Sequence, residues 1–404
     1  MKIFEKLAIV SLIVLITMSA CEPQNNNAVK QVEIDFLLDS LKGIYAPDTR
    51  VALWNVSTED SSNTIKLSGE VDNKTAYNDI KKVIAKNYPE VEIDIDFLPK
   101  ENSDQLVTGL INNSVANLRS NARHSAEIAT QALLGTPIKI LKREGDWYLV
   151  QTPNKYIAWV DAPAVVRIGP DELKEYKLSE KIVYTKQYGF SYSEPDENSQ
   201  FVSDLVIGCI LPVTDANANF YKVKFPDNRI AWVKKNEVED ADEVFDRIIE
   251  DEELIETAKK FVGIPYLWGG TSSKGIDCSG FTSTIYLMNG TVLQRDASQQ
   301  TKYGEEITTD YDYTKLQVGD LLFYGRKATD SLSERVTHVA MYIGDTEFIH
   351  ASGRVRINSM DSTRENFIPR YVPRFVRAVR VKGVTNTLGM EPIADNDFYK
   401  EILN

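Results

Sequence analysis

Hydrophobic residues recur along the chain with two different periods, and these periods predict which segments are helices and which are strands. In residues 76–89, AYNDIKKVIAKNYP, Ile80 and Ile84 fall on one side of a helix. In residues 91–97, VEIDIDF, hydrophobic and acidic residues alternate, as they do in a strand with one buried face. Together these segments predict a small α+β domain over residues 31–115.

Two later segments repeat each other and predict two small β-barrels. WYLVQTPNKYIAWV (147–160) aligns without a gap on FYKVKFPDNRIAWV (220–233). Each contains a strand, a turn at Pro-Asn or Pro-Asp, and a second strand that ends in Ala-Trp-Val. Short strands at this spacing are typical of small barrels, which we place at residues 119–168 and 180–240. Both segments resemble bacterial SH3-like domains.

The rest of the pattern predicts a last domain at residues 245–385, entered through an acidic helix, and a C-terminal tail at residues 386–404. A chain of 404 residues with 43% hydrophobic residues is long enough for several domains with cores of their own. The expected fold class is therefore α+β and multidomain. The formal net charge of −13, with no basic block, argues against nucleic acid as a partner.

The first residues, MKIFEKLAIVSLIVLITMSAC, combine two lysines, a short apolar run and small residues before Cys21. This order is typical of an export signal, and the last four residues resemble a bacterial lipobox. We therefore predict a lipoprotein signal peptide over residues 1–21, acylation of Cys21, and a polar tether over residues 22–30. The protein would then be exported and anchored to a bacterial membrane through its N-terminal lipid. The alternative is a plain secretion signal.

Only two further cysteines exist, and their surroundings differ. Cys209 lies in the apolar stretch DLVIGCILPV, which predicts a small buried residue. Cys278 lies in KGIDCSGFTSTIYLMN, where Asp277 precedes a predicted helix. A thiol at a helix N-terminus feels the positive end of the helix dipole, so we expect a lowered pKa and a nucleophilic Cys278. A disulfide between the two cysteines and a purely structural Cys278 are the alternatives.

Two of the three histidines follow Cys278 on strand-like runs, RVTHVAMYIG and EFIHASG. A Gly-Asp turn separates the runs, so His338 and His350 are expected on adjacent antiparallel strands. His338 would then act as the general base for Cys278, and His350 would orient and polarise it. We find no zinc-type ligand spacing and no complete phosphate-binding loop, and we expect no metal and no cofactor.

The segments PYLWGGTSSKGIDCSGF, LQVGDLLFYG, THVAMYIGD and FIHASG together resemble an NlpC-type cell-wall cysteine peptidase with a papain-like catalytic core. The resemblance implies that Cys278 attacks a peptide carbonyl, that His338 is the base and that His350 is the third catalytic residue. It also implies that the hydroxyl of Tyr266, with the backbone N–H of Cys278, stabilises the tetrahedral intermediate. Simple packing is the alternative for Tyr266.

Barrels that precede such a domain resemble those of the γ-D-glutamyl-L-diamino acid endopeptidases, which act on stem peptides with a free N-terminal L-Ala. That resemblance implies a substrate site formed by Asp277, Ser279, Glu127 and Tyr156, with Asp277 paired to the peptide ammonium. Helix capping by Asp277 and strand packing by Tyr156 are the alternatives. In the second barrel Arg229 stands where the first has Tyr156, so we do not assign the second barrel to the substrate site.

Arg295 and Asp296, in LQRDASQQ, also fit the family pattern. The residues themselves suggest no clear role, and a structural ion pair between the two is the alternative.

The function that these expectations favour is a cysteine endopeptidase of cell-wall recycling. It would hydrolyse the γ-D-Glu–diamino acid bond of peptidoglycan stem peptides with a free L-Ala, with meso-diaminopimelate as the expected diamino acid. Three alternatives remain open: a hydrolase that remodels intact wall, a wall-binding lipoprotein with an inactive peptidase-like domain, and an acyl transferase. An obligatory contact between Asp277 and a free amine would favour released fragments over intact wall.

Overall fold

A computed structural model of the chain describes residues 26–61, 64–100, 107–384 and 390–403. The predicted signal peptide and Cys21 lie outside these residues, and so does the start of the tether. Within the described residues no helix is both long enough and apolar enough to span a membrane. The described residues form two compact units, of which the first takes in residues 26–47 and 54–97, and the second takes in residues 48–53 and those from residue 98 onward.

The first unit is a small α+β domain with one three-stranded sheet. Its elements are α1 (Asn26–Tyr45), β1 (Trp54–Ser61), β2 (Thr64–Val71), α2 (Lys74–Asn87) and β3 (Glu92–Phe97). β2 is the central strand, antiparallel to β1 and parallel to β3. Helix α2 begins after Asn73, whose side chain accepts a hydrogen bond from the N–H of Ala76, and it buries Ile80 and Ile84 as its period predicts.

The second unit begins with a seven-stranded sheet, the first SH3-like barrel. Its strands are β4 (Thr108–Ile111), β5 (Val115–Arg119), β6 (Ile128–Leu133), β7 (Pro137–Glu144), β8 (Trp147–Gln151), β9 (Ile157–Asp161) and β10 (Val165–Arg167). They follow the order β10-β4-β7-β8-β9-β5-β6. β4 pairs with β7 and β10, so this sheet includes residues that the sequence analysis assigned to the preceding domain. Hydrophobic spacing alone could not show which sheet these short strands join.

The second barrel repeats this plan after helix α3 (Pro170–Leu178). Its strands are β11 (Lys181–Tyr184), β12 (Tyr188–Tyr192), β13 (Phe201–Val206), β14 (Ile210–Ala216), β15 (Phe220–Lys224), β16 (Ile230–Lys234) and β17 (Val238–Asp240), in the order β13-β12-β16-β15-β14-β11-β17. The repeated segments form equivalent antiparallel pairs, β8 with β9 and β15 with β16. Cys209 is buried in the core of this barrel and is a free thiol, as is Cys278, so the two form no disulfide.

The last domain packs helices against a six-stranded antiparallel sheet. Its helices are α4 (Ala241–Phe245), α5 (Asp251–Lys259), α6 (Cys278–Leu287) and α7 (Ala297–Gln300). The sheet is formed by β21 (Glu305–Thr308), β22 (Leu321–Arg326), β23 (Arg335–Gly344), β24 (Glu347–Ser352), β25 (Arg354–Ser359) and β26 (Phe375–Arg380), in the order β21-β26-β22-β23-β24-β25. Phe281 and Ile285 of α6 join Val339 and Ile349 in one buried core, so the helix packs on the middle of the sheet.

Two short ladders complete this domain, and one of them corrects the expected C-terminal tail. β18 (Thr271–Ser272) pairs with β19 (Gly275–Ile276), and β20 (Thr291–Leu293) pairs with β27 (Met390–Pro392). Tyr399 and Ile402 are buried in the core of the domain, so residues 390–403 are part of the domain rather than a free tail. The 3₁₀ helices are Ala162–Ala164, Lys235–Glu237, Pro369–Arg374, Ile393–Asp395 and Tyr399–Glu401.

Candidate active site

Cys278 is the first residue of α6, and the residues around it explain why the helix begins there. Asp277 is the N-cap, and its carboxylate accepts the backbone N–H of Gly280 at 2.7 Å. A Cβ at Gly280 would lie 2.1 Å from the carbonyl oxygen of Gly270, so only glycine allows this close approach. The thiol is therefore held at a helix N-terminus, as the sequence predicts, and it is 7% exposed.

The pKa of this thiol differs from the expectation. Burial, helped by the negative charge of Asp277, raises the pKa of Cys278 to about 12, against the lowering effects of the Val339 backbone, the Arg295 charge and the Ser279 backbone. Desolvation therefore outweighs the helix dipole, and the expected lowered pKa is wrong for the unliganded protein. The resting nucleophile is a neutral thiol that needs a base.

The two histidines lie on the adjacent antiparallel strands β23 and β24, and their rings are hydrogen-bonded. Nε2 of His338 is 2.8 Å from Nδ1 of His350. Nε2 of His350 is 3.0 Å from Oδ1 of Asn358, on the neighbouring strand β25. The Asn358 side chain is oriented by its own Nδ2, which donates to the carbonyl oxygen of Asn366 at 2.8 Å.

This chain of hydrogen bonds determines which histidine nitrogens carry protons. Because Oδ1 of Asn358 can only accept, His350 carries its proton on Nε2 and presents a bare Nδ1. His338 then donates from Nε2, which leaves its Nδ1 unprotonated and able to take the thiol proton. The sequence analysis missed Asn358, because an asparagine in the strand-like run RVRINS carries no signal that separates it from a packing residue.

Both imidazoles are neutral near pH 7. Burial lowers the pKa of His338 well below its usual value, and the charges of His350 and of Arg374, Arg370 and Arg356 lower it further. Burial lowers the pKa of His350 to about 4, against the hydrogen bond to Asn358. A neutral imidazole and a neutral thiol are the protonation states that general-base activation requires.

A cavity of about 330 Å³ lies beside the nucleophile, between the first barrel and the last domain. All the substrate-site residues expected from the sequence line it, namely Asp277, Ser279, Glu127 and Tyr156, together with Cys278 and Tyr266. The structure thus brings these residues together although they come from distant parts of the chain. Burial raises the pKa of Tyr266, so its hydroxyl remains a neutral donor.

Asp277 is already paired, which changes the expected role of its charge. Arg295 Nη2 donates to one carboxylate oxygen at 2.7 Å and Nη1 donates to the other at 3.1 Å. The Arg295 side chain is 1% exposed, and its Nε donates to Thr130 Oγ1 of the first barrel at 2.9 Å. The main partner of Arg295 is therefore Asp277 rather than Asp296, whose nearest carboxylate oxygen is 4.0 Å away.

Comparison with known proteins now identifies the family. A model described as NlpC/P60 family matches residues 263–375, and one described as bacterial SH3 domain matches residues 114–165. The chain is 34% identical over 239 residues to a gamma-D-glutamyl-L-lysine dipeptidyl-peptidase of Bacillus cereus, and the alignment covers 56% of this chain and 67% of that protein. It is 30% identical over 259 residues to dipeptidyl-peptidase 6 of Lysinibacillus sphaericus, and that alignment covers 61% of this chain and 89% of the relative.

A solved structure agrees with these relatives. The crystal structure of an NlpC/P60 family protein from Bacillus cereus is 26% identical and has a TM-score of 0.59, covering 68% of this chain and 99% of that chain. The chain belongs to the NlpC/P60 family. The NlpC/P60 protein is thus a cysteine peptidase with cell-wall peptidase activity, and the alternative of an inactive peptidase-like domain is set aside.

Arg50 also lines the cavity beside Cys278, and the sequence analysis missed it. It lies in the segment Asp48–Leu53, which belongs to the second unit although the chain on either side of it forms the first. Its Nη1 donates to Asp296 Oδ2 at 2.8 Å and to Ser298 Oγ at 2.9 Å, and its Nε donates to Asp48 at 2.8 Å. No local motif marks Arg50, because its cavity partners Asp296 and Ser298 lie far away in sequence.

Opposite charges in the cavity are not all balanced. Tyr156 donates its hydroxyl to Asp296 Oδ2 at 3.2 Å, so Asp296 is held by both Tyr156 and Arg50. Glu127, by contrast, is exposed and makes no side-chain hydrogen bond or ion pair with any residue that the structure describes. Of these two carboxylates in the cavity, that of Asp277 is paired with Arg295, and that of Glu127 has no partner among the described side chains.

Proposed function

We propose that the peptidase hydrolyses the γ-D-Glu–diamino acid bond of peptidoglycan stem peptides that begin with a free L-Ala. The observation that carries this proposal is the unpaired carboxylate of Glu127 in a cavity that also contains Cys278. The names of the relatives support it, because one of them is a gamma-D-glutamyl-L-lysine dipeptidyl-peptidase. A dipeptide end with a free amine is the substrate part that such a cavity fits.

The size and charge of the cavity favour a short, positively charged peptide end. Its volume of about 330 Å³ is at the small end of the range for ligand pockets, which suits L-Ala-γ-D-Glu better than a longer segment. The ammonium of L-Ala would pair with Glu127, whose charge has no other partner. An L-Ala still amidated to the wall sugar would bring no charge and would leave Glu127 desolvated and unpaired.

The residues at the nucleophile then perform a conventional acyl transfer to water. Nδ1 of His338 takes the thiol proton as Cys278 Sγ attacks the γ-carbonyl carbon of D-Glu. The oxyanion would be stabilised by the Tyr266 hydroxyl and by the backbone N–H of Cys278, which has no intrahelical acceptor in the first turn of α6. His338 returns the proton to the departing amine, and it then activates the water that hydrolyses the thioester.

Export and lipid anchoring through Cys21 complete the proposal. They rest on the N-terminal sequence alone, MKIFEKLAIVSLIVLITMSAC, and they would place the enzyme in the cell envelope, where peptidoglycan fragments arise. Metabolic labelling with a radioactive fatty acid would detect the lipid, and a Cys21→Ala variant should lose the label.

The deciding experiment is mass spectrometry of the full-length protein, in detergent, with L-Ala-γ-D-Glu-meso-diaminopimelate and the same peptide N-acetylated. We expect release of L-Ala-D-Glu from the free peptide only, and no release by Cys278→Ala. Glu127→Gln should remove most of the preference for the free amine. Equal cleavage of both peptides by the wild type would contradict the proposal and favour hydrolysis of intact wall.

A further inference from the structure

Three arginines lie near the catalytic histidines, and we call them the arginine rim. They are Arg356 on β25 and Arg370 and Arg374 on the 3₁₀ helix Pro369–Arg374. Arg370 Nη2 donates to Ser352 Oγ at 2.9 Å, and Arg356 Nη2 is 3.5 Å from the same oxygen.

The arginine rim is connected to the catalytic base through the side chains of Thr337 and Tyr371. Arg374 Nη2 donates to Thr337 Oγ1 at 3.0 Å, and Thr337 both precedes His338 and lines the cavity. Arg370 Nη2 also contacts the Tyr371 hydroxyl at 3.3 Å, and that hydroxyl is 3.5 Å from Nε2 of His338. A group bound by the rim would therefore lie within a few ångströms of the hydrogen bond between His338 and His350.

The positive charges of the rim are uncompensated. Among the described residues, no carboxylate is within ion-pair distance of Arg356, Arg370 or Arg374, and Nε of Arg356 is buried with no hydrogen-bond partner. By contrast, Arg364 pairs with Asp345 at 3.1 Å, and Arg380 pairs with Asp320 at 2.8 Å. An acidic protein with a net charge of −13 thus leaves three cations unpaired beside its active site.

Without a bound anion, the three positive charges make it harder for His338 to accept the thiol proton. Like charges beside His338 destabilise the imidazolium that forms when the base takes the thiol proton. A substrate anion on the rim would remove this cost at the moment of reaction and would satisfy the orphan N–H of Arg356. The rim therefore has the properties of a binding site for a negatively charged group of the substrate.

The geometry points to the departing diamino acid as the source of that group. This inference rests on the proposed function, in which the cavity holds L-Ala-γ-D-Glu and His338 protonates the leaving amine. The leaving residue then lies on the histidine side, next to the rim. We propose that the arginine rim binds a carboxylate of the diamino acid, either the C-terminal α-carboxylate or the distal carboxylate that diaminopimelate has and lysine lacks.

Peptides with an amidated C-terminus show which of the two carboxylates the arginine rim binds. The substrates are L-Ala-γ-D-Glu-L-Lys, its C-terminal amide, and the corresponding meso-diaminopimelate peptide as the free acid and as the α-amide. If the rim binds the α-carboxylate, amidation lowers kcat/KM about 10-fold for both diamino acids, the effect of one hydrogen bond to a charged group. If it binds the distal carboxylate, both diaminopimelate peptides are cleaved about 10-fold better than both lysine peptides.

The variants test whether the rim causes the preference. Arg370→Gln/Arg374→Gln should reduce either preference to less than about 2-fold, and Arg370→Lys/Arg374→Lys should retain most of it because the charge is kept. Arg326→Gln, an exposed arginine on β22 of the same domain, is the matched control and should keep the full preference. Arg370 and Arg374 are both exposed, so equal melting temperatures of all variants are expected.

Two results would overturn the inference, and they differ. The inference fails if the wild type cleaves all four peptides at similar rates, or if its preference among them survives in the glutamine variant. The rim then does not bind a carboxylate of the leaving diamino acid, although the proposed function stands. If the wild type cleaves none of the four peptides, the proposed function is wrong and the inference falls with it.

Discussion

Replacement of Arg295 by methionine is the sharpest test of how the active site is built. Methionine fills most of the volume of the arginine side chain but removes both charge-assisted hydrogen bonds to Asp277, at 2.7 and 3.1 Å. It also removes the contact with Thr130 that ties the last domain to the first barrel. The Asp277 carboxylate would keep the N–H groups of Gly269 and Gly280 as donors but would lose its counter-ion.

The magnitude follows from the burial of both partners. The side chains of Arg295 and Asp277 are 1% and 9% exposed, so solvent cannot replace the lost partner. Breaking a buried ion pair by removing one member costs about 3–5 kcal/mol, because the other charge stays buried and unpaired. At about 2 °C per kcal/mol for a protein of this size, the melting temperature should fall by about 6–10 °C.

A double-mutant cycle separates this charge effect from lost packing. Asp277→Asn removes the stranded charge while the amide can still cap α6, so Arg295→Met/Asp277→Asn should be more stable than Arg295→Met by at least about 2 kcal/mol. Urea unfolding followed by circular dichroism measures all four proteins. A double variant no more stable than Arg295→Met would refute the reasoning, since the charge would then not be the source of the cost.

Three further outcomes are expected. Because the pKa of His338 is lowered well below its usual value and that of His350 to about 4, kcat/KM should hold as pH falls through 6.5, and an acid limb centred near 6.5 would contradict this. Asn358→Leu removes the acceptor that fixes the tautomers and should lower kcat about 10²-fold or more with little change in KM, whereas an unchanged kcat would show that the relay is not needed. Arg50→Met releases Asp296 and should raise KM for the free tripeptide by about 10-fold, while the rate constant of a single turnover at saturating substrate changes little. A lower single-turnover rate with an unchanged KM would instead show that Arg50 takes part in the chemical step.

The parts of the site that sequence could predict are those determined by local periodicity. His338 and His350 lie in runs of alternating residues joined by a tight turn, so their strands had to be neighbours. Cys278 follows an N-capping residue, and the first turn of a helix places it. In each case the physical cause acts within a few residues along the chain.

The parts that sequence could not predict depend on contacts between distant segments. The pKa of Cys278 is raised because the whole domain buries it, and no local pattern measures burial. The partner of Asp277 is Arg295, and that choice is made by the packing of α6 against the loop that follows β20. Arg50 reaches the cavity because residues 48–53 leave the first unit and join the second, which only the tertiary structure reveals.

The distribution of charge around the nucleophile suggests why a peptide would enter in one orientation. In the cavity Glu127 is an anion with no partner among the described side chains, and the charge of Arg50 is matched by Asp48 and Asp296. The arginine rim, which contacts Thr337 of the cavity lining through Arg374, is cationic and has no acidic partner among the described residues. A stem peptide with an ammonium at its start and a carboxylate at its end complements this field in one direction only, because reversal would bring like charges together at both ends. Cys278 lines the same cavity as Glu127, so a peptide oriented by this field would bring its γ-carbonyl to the thiol.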